Sequence, residues 1–245
     1  GAVSTFAKRT EDGYVINGVK TWVTNGPVGN FYTVLCQTGH EKKFRGLNFF
    51  FVPRETPGVS TSKPFSLLGT RTSKLSEVYF SDCHIPKEYR LCPEGEGFNN
   101  LVNLLAPIRL LAASQAIGLQ RAALADSIRY AHERVQFGRP ISNFQLIQGK
   151  IADMAVNLEA SKHLVYHVAP MIDKKIECIK EASMAKFFAT EAACRAGDEI
   201  TRIFGAYGYS MEYTAQRYYR DSRFLVSGAG TAEILRANIA KWVGL

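Results

Sequence analysis

The sequence predicts an α+β protein, with an antiparallel β-barrel or sandwich over residues 1–96 and an antiparallel helical bundle over residues 97–245. Two observations carry this. Before residue 97, short β-rich runs alternate with Pro, Gly and Asn turn signals. After Gly95-Glu96-Gly97, apolar residues recur at helical spacing with only short interruptions.

The β-rich part begins with Val15 and Ile16, which lead into Asn17-Gly18, a dipeptide suited to a hairpin turn. Then come Lys20 to Thr24, Phe31 to Gln37, Leu47 to Val52 and Glu77 to Phe80. Pro53, Pro57, Gly58, Pro64 and Gly69 punctuate these runs. The first helix shows Leu101, Leu104, Leu105 and Ile108 and runs on through Ile117 and Leu119; Pro107 is expected to kink it. A second helix is marked by Leu146, Ile147, Ile151, Met154 and Leu158, and a third by Met184, Phe187, Phe188 and Ala192. Shorter helices are expected over Tyr213 to Tyr219 and Thr231 to Val243.

Composition narrows the function. Of 245 residues, 46% are hydrophobic and 21% charged, the balance of a globular chain. No unbroken apolar run approaches the roughly 18 residues of a spanning helix, and no signal peptide is visible, so no membrane span is expected. The cysteines Cys36, Cys83, Cys92, Cys178 and Cys194 are odd in number and form no CxxC pair. A disulfide framework and a metal site are therefore not expected, and a reducing compartment fits. The net charge of +8 is scattered rather than clustered, which favours a phosphate-bearing small molecule over nucleic acid.

Five segments together resemble the acyl-CoA dehydrogenase family. The run from Tyr14 to Gly26 contains Trp22-Val-Thr-Asn25, similar to the family's W-[IV]-T-N strand motif. Leu68-Gly-Thr-Arg-Thr-Ser73 is followed by Val78-Tyr-Phe80 and His84-Ile-Pro86. Glu133-Arg-Val-Gln-Phe-Gly-Arg-Pro-Ile-Ser-Asn-Phe-Gln145 resembles E-R-x-x-F-G-x-x-I-x-x-x-Q. Ile203-Phe-Gly-Ala-Tyr-Gly-Tyr209 resembles I-x-G-G-x-G-[FY], and Arg220-Asp221 leads to Gly230-Thr-Ala-Glu-Ile-Leu-Arg236. Their order and spacing cover the middle β-domain and C-terminal helical domain; the family's usual N-terminal helical domain has no counterpart in these residues.

The resemblance implies FAD, bound in this family between the β-domain and the helical domain. It places Trp22 and Thr24 beside the isoalloxazine ring and Arg134 at the pyrophosphate of a neighbouring subunit's FAD. A planar guanidinium fork suits a diphosphate. Phe137, Gln145, Gly205, Gly208 and Thr231 match further positions near the cofactor, and the two glycines suit a close backbone approach. Arg202 stands where the family often has Gln, and could serve a phosphate better. Ala206 replaces the second Gly of the usual pair, and Glu233 a frequent Gln. An acyl-CoA or acyl-carrier thioester is the implied substrate, with Arg109 retained for the CoA moiety or for helix packing. A homo- or hetero-oligomer (dimer or tetramer), an electron-transfer flavoprotein as acceptor and a cytoplasmic or mitochondrial matrix location complete the expectation.

One element of the chemistry is missing. α,β-Desaturation needs a carboxylate within reach of the α-proton. Family members carry it either just before the G-T segment, where this chain has Ala229, or just before the Arg of the first long helix, where it has Ile108. Neither accepts a proton. Glu94 and Glu96 read as solvated surface, and Glu212 and Asp221 as partners of nearby arginines. Four readings follow: a dehydrogenase whose base comes from elsewhere, a non-catalytic subunit of a heteromeric dehydrogenase, a flavin monooxygenase of the same fold, and a binding protein without flavin.

Overall fold

The computed structural model describes residues 3–39, 44 and 46–245. It forms two compact units, one of Gly1–Leu67 and Arg71–Asn103, the other of Leu68–Thr70 and Leu104–Leu245.

The first unit is a sheet of β1 (Phe6–Arg9), β2 (Gly13–Thr24), β3 (Phe31–Gln37), β4 (Leu47–Pro53), β5 (Val59–Thr61) and β6 (Leu75–Pro86). The strand order is β4-β3-β1-β2-β6-β5. Pairing is antiparallel except between β1 and β3, which meet in parallel at Phe6 and Gln37. The sheet is not a closed barrel. Among the described residues β4 and β5 lie at opposite ends, and β5, three residues long, is too short to bridge them. One face is dry: Tyr32, Val34 and Cys36 alternate inward along β3 and pack with Ile16, Phe50, Val52, Val78 and Phe80.

Asn17-Gly18 is not a hairpin turn. It lies inside β2, where the register against β6 shifts between Ile16 and Gly18. The Asn17 side chain is used across the strands: its amide donates to the Asp82 carboxylate at 3.0 Å and its carbonyl accepts the Asp82 N–H at 2.9 Å. The turn that joins β1 to β2 closes instead at Thr10–Gly13, where the Thr10 N–H donates to the Gly13 carbonyl. β1 and β5 were not marked by the sequence pattern, because four and three residues are too few to show a period.

The second unit is helical. It takes most of α1 (Gly97–Glu133), then α2 (Gln145–Asp173), α3 (Ile179–Phe204), α4 (Ala206–Tyr209), α5 (Ala215–Ser227) and α6 (Ala232–Trp242). A two-stranded hairpin of β7 (Val135–Gln136) and β8 (Arg139–Pro140) joins α1 to α2. The core of α3 is made of small residues, with Ala182, Ala185, Ala189, Ala192, Ala193 and Ala196 all buried. Close packing follows: a Cβ on Gly197 would lie 2.9 Å from the Tyr218 carbonyl oxygen of α5. α1 runs unbroken through Pro107.

α1 also qualifies the expectation of no spanning segment. An 18-residue window reaches a mean hydropathy of 1.4, enough by length and composition alone. An unbroken-run criterion misses it because Asn, Arg, Ser and Gln interrupt the run. Those polar groups have partners inside the bundle: Gln120 donates to Ser161 Oγ and to the Ala189 carbonyl, both at 3.1 Å. Ala113 and Ala116 pack with Val165, Val168 and Ala185, so this face of α1 belongs to the bundle core.

The segment Leu68–Thr70 belongs to the helical unit through two bonds to α5. Asp221 accepts the Thr70 N–H at 2.7 Å, and Arg220 donates to the Leu68 carbonyl at 2.8 Å. Two of the five sequence segments thus meet. Asp221 binds backbone rather than an arginine, and among the described residues Glu212 has no ion pair either. Glu94, expected as free surface, is an exposed partner of Arg90 and Arg9.

Candidate cofactor cleft and base loop

In the helical unit, α1 ends at Glu133 and the chain turns through Phe137-Gly138, both at positive φ (51° and 76°). Two successive left-handed residues are what a two-residue hairpin of this twist requires. Phe137 pays the steric cost that glycine avoids, and its side chain is 92% exposed. The same turn sets Arg139 beside Gln136 and directs the chain into α2, which begins at Gln145 with no side-chain cap.

These elements line a cleft of about 840 Å³. Arg134, Phe137, Arg139, Gln145, Gly205 and Tyr207 are among its walls. The Arg134 guanidinium lies 5.6 Å from the Tyr207 ring centre, and that of Arg139 lies 4.4 Å from Phe144. Among the described residues neither has a carboxylate within ion-pair distance. Two guanidinium forks without a carboxylate partner among the described residues, and an uncapped helix start, make a donor set chemically suited to a polyanion. The exposed Phe137 ring and the Tyr130–Phe204 stack, 3.9 Å between centroids, add flat apolar surface.

Not all the expected residues come here. Arg202 is drawn away by Asp198, which accepts its Nε–H at 2.7 Å on the same exposed helix face. Gly205 ends α3 at φ 60° with open space around it. Gly208 serves packing instead: a Cβ there would lie 2.3 Å from the Thr201 carbonyl oxygen. Gly208→Ala is therefore expected to cost about 1–3 kcal/mol by overpacking. A thermal melt within error of the parent would rule that out. Thr231 caps α6, its Oγ1 accepting the Ile234 N–H at 3.4 Å. Backbone hydrogen bonding at that helix start, with help from Thr231, holds the Glu233 carboxyl below its ordinary range.

Trp22 and Thr24 belong to the first unit. Trp22 has φ 58° at a register shift in β2, and is 63% exposed rather than in the sheet core. Its ring leans on Phe65 at 4.7 Å between centroids. Thr24 is exposed at the end of β2, opposite Leu75.

The loop between α5 and α6 carries Gly228-Ala229-Gly230, with Ala229 half-buried at φ 57°. Lys186, fully buried on α3, holds this loop. Its Nζ donates to the Gly230 carbonyl at 2.7 Å and to the Val226 carbonyl at 3.2 Å. Burial, reinforced by the nearby Arg109 charge, pushes Lys186 down to about 8. Arg109 itself is only 4% exposed and donates to Ser183 Oγ at 2.9 Å. Ile108 is partly exposed on α1. Sequence reading had not singled out Arg139 or Lys186. The two-residue Phe-Gly turn signals the first, and nothing local signals the second.

Comparison with known proteins names the class. Residues 95–244 match the acyl-CoA dehydrogenase C-terminal domain, and residues 1–83 the acyl-CoA dehydrogenase middle domain. The chain belongs to the acyl-CoA dehydrogenase family. It is 46% identical over 243 residues to benzylmalonyl-CoA dehydrogenase of Aromatoleum aromaticum, covering 99% of this chain and 64% of that protein. It is 40% identical over 234 residues to the caffeyl-CoA reductase-Etf complex subunit CarC of Acetobacterium woodii, covering 96% of this chain and 62% of that one. Butyryl-CoA dehydrogenase from Megasphaera elsdenii superposes with a TM-score of 0.96 at 36% identity, over 98% of this chain and 63% of that structure. The chain thus spans a little under two thirds of the length of these proteins.

Proposed function

We propose that the protein containing this chain is a flavin-dependent dehydrogenase that introduces an α,β double bond into an acyl-CoA thioester. The observation that carries the proposal is the cleft with its two guanidinium groups, Arg134 and Arg139, which have no carboxylate partner among the described residues. The donor set of the helical unit fits the diphosphate of FAD: Arg134 and Arg139 would hold it, and Gln145 and the start of α2 would supply polar contacts. Within the first unit, the exposed Trp22 ring and Thr24 hydroxyl are of a kind suited to a flavin ring. FAD supplies a two-electron acceptor for the leaving hydride. Gly205 and Thr231 order the backbone on either side of α5, and Arg202 stays with Asp198.

Kinship with the Aromatoleum enzyme favours a substrate of the benzylmalonyl-CoA type over a plain fatty acyl-CoA, and that with the Etf-complex subunit favours an electron-transfer flavoprotein as partner. An oligomer follows if Arg134 meets the cofactor of a neighbouring subunit. Five unpaired cysteines, four of them buried, suit the cytoplasm or mitochondrial matrix. The lack of a carboxylate at Ala229 and Ile108 favours one second reading, a non-catalytic subunit of a heteromeric dehydrogenase.

The test is the visible spectrum of the full-length protein under anaerobic conditions, before and after acyl-CoA thioesters are added. Bound flavin that bleaches supports the dehydrogenase. Flavin that never bleaches supports the non-catalytic subunit, and a colourless protein overturns both. Arg134→Ala is expected to weaken flavin retention about ten- to a hundredfold, the loss of charge-assisted bonds to phosphate, with the melting temperature of the flavin-free protein unchanged. Undiminished flavin content in that variant would remove Arg134 from the site.

A further inference from the structure

We infer that Tyr32 and Arg54 are positioning residues for the flavin ring, because together they clamp the loop that follows β2 and so fix the strand end carrying Trp22 and Thr24. This rests on the reading above that this strand end meets the flavin, and deepens it. The strand end is not regular. Trp22 and Asn25 both hold left-handed backbone, at φ 58° and 62°, and the register against β6 shifts between Lys20 and Val23. Residues of this kind keep such a conformation only where their surroundings enforce it. The segment that follows, Gly26-Pro-Val-Gly29, has two glycines and would be loose by itself. Turn bonds close it locally: the Gly26 N–H donates to the Val23 carbonyl at 3.1 Å, and the Val28 and Gly29 N–H groups donate to the Asn25 carbonyl at 3.0 and 2.7 Å.

The remaining carbonyls of this loop take their donors from β3 and from the residue after β4. Tyr32, a core residue of β3, donates its hydroxyl to the Gly26 carbonyl at 2.7 Å. Burial pushes the phenol up, against the pull of the nearby Arg54 charge, so it remains a donor across the neutral range. Arg54 Nη1 donates to the Pro27 carbonyl and, at 3.4 Å, to the Gly29 carbonyl. The Arg54 backbone N–H donates to the Asn30 carbonyl at 2.9 Å. Among the described residues Arg54 has no carboxylate within ion-pair distance, so its guanidinium serves the loop. β6 closes another side: a Cβ on Gly26 would lie 2.4 Å from Ser76 Oγ. The loop is thus held from the sheet, and the exposed Trp22 and Thr24 stand on backbone that is already ordered. A flat ring that meets such a surface does not have to order it on binding.

The experiment uses the full-length flavin-loaded protein and its variants Tyr32→Phe, Arg54→Met, Arg54→Lys and Trp22→Phe. A tryptophan packed against an isoalloxazine ring quenches its fluorescence, so the emission of bound flavin reports how closely the two are held. Arg54→Met is expected to raise that emission several-fold. It should also quicken amide exchange across residues 25–30 at least about tenfold, the loss of one charge-assisted bond. Tyr32→Phe, which loses a neutral bond, should do both to a smaller degree. Arg54→Lys keeps a cationic donor and should recover most of the quenching, which a mere loss of packing would not explain. Trp22→Phe should raise the emission with loop exchange unchanged. Raised emission in Trp22→Phe alone, with parent emission in Arg54→Met and Tyr32→Phe, would overturn the inference and leave the flavin placement standing. Parent rates of loop exchange in Arg54→Met would do the same. Parent emission in Trp22→Phe would take the flavin away from this strand end and overturn both.

Discussion

Ala229→Glu is expected to raise the rate at which phenylpropionyl-CoA bleaches the flavin by about 10²–10⁴-fold, the usual contribution of a positioned general base. The loop is ready for the change. Ala229 already holds a left-handed backbone, so glutamate inherits a conformation that a non-glycine residue has accepted. A carboxylate there meets the field of Lys186 and Arg109, which keeps it ionised and able to take a proton. Ala229→Gln has the size without the proton acceptor and should give no gain. If Ala229→Glu folds, keeps its flavin and leaves the phenylpropionyl-CoA rate unchanged, residue 229 does not face the reacting carbon.

The sequence made the two-part architecture legible because its two hydrophobic periods change abruptly at Gly97. Strands of seven residues or more and helices of more than twenty announce themselves. β1 and β5 do not, and the parallel contact of β1 with β3 is a tertiary choice that no local pattern encodes. Asn17-Gly18 misled because its turn chemistry is spent on a bulge, where Asn17 and Asp82 satisfy each other. Motif order located Arg134, Phe137, Gln145 and Gly205, which the fold gathers into one cleft. It also pointed to Arg202, but a carboxylate one helical turn away had already claimed that side chain. Lys186 was illegible for the opposite reason: a lysine on an amphipathic helix reads as surface, and only the arrival of the α5–α6 loop gives it carbonyls to bind.

Lys186 carries the other large expected effect, and it is a pH effect. The group sits at about 8 in the folded protein against an ordinary value of 10.5, so between those limits the unfolded chain binds the extra proton. Stability rises with pH wherever the unfolded state is the more protonated. The penalty of burying the charge is therefore full below pH 8 and vanishes as pH climbs toward 10.5, a swing of about 3 kcal/mol. Lys186→Met removes the titrating group and should flatten that rise relative to the parent, measured by urea unfolding across the interval. At pH 7 the variant faces opposing terms. It sheds the buried charge but leaves the Val226 and Gly230 carbonyls without their donor, at roughly 1–3 kcal/mol each. Net stability there should change little, while amide exchange across residues 226–230 should quicken as the loop loses its tether. Parallel pH profiles for the two proteins would show that Lys186 is not the buried cation the packing describes. A flattened profile with a loosened loop would establish that the protein bears the cost of a buried lysine in order to hold the backbone around residue 229.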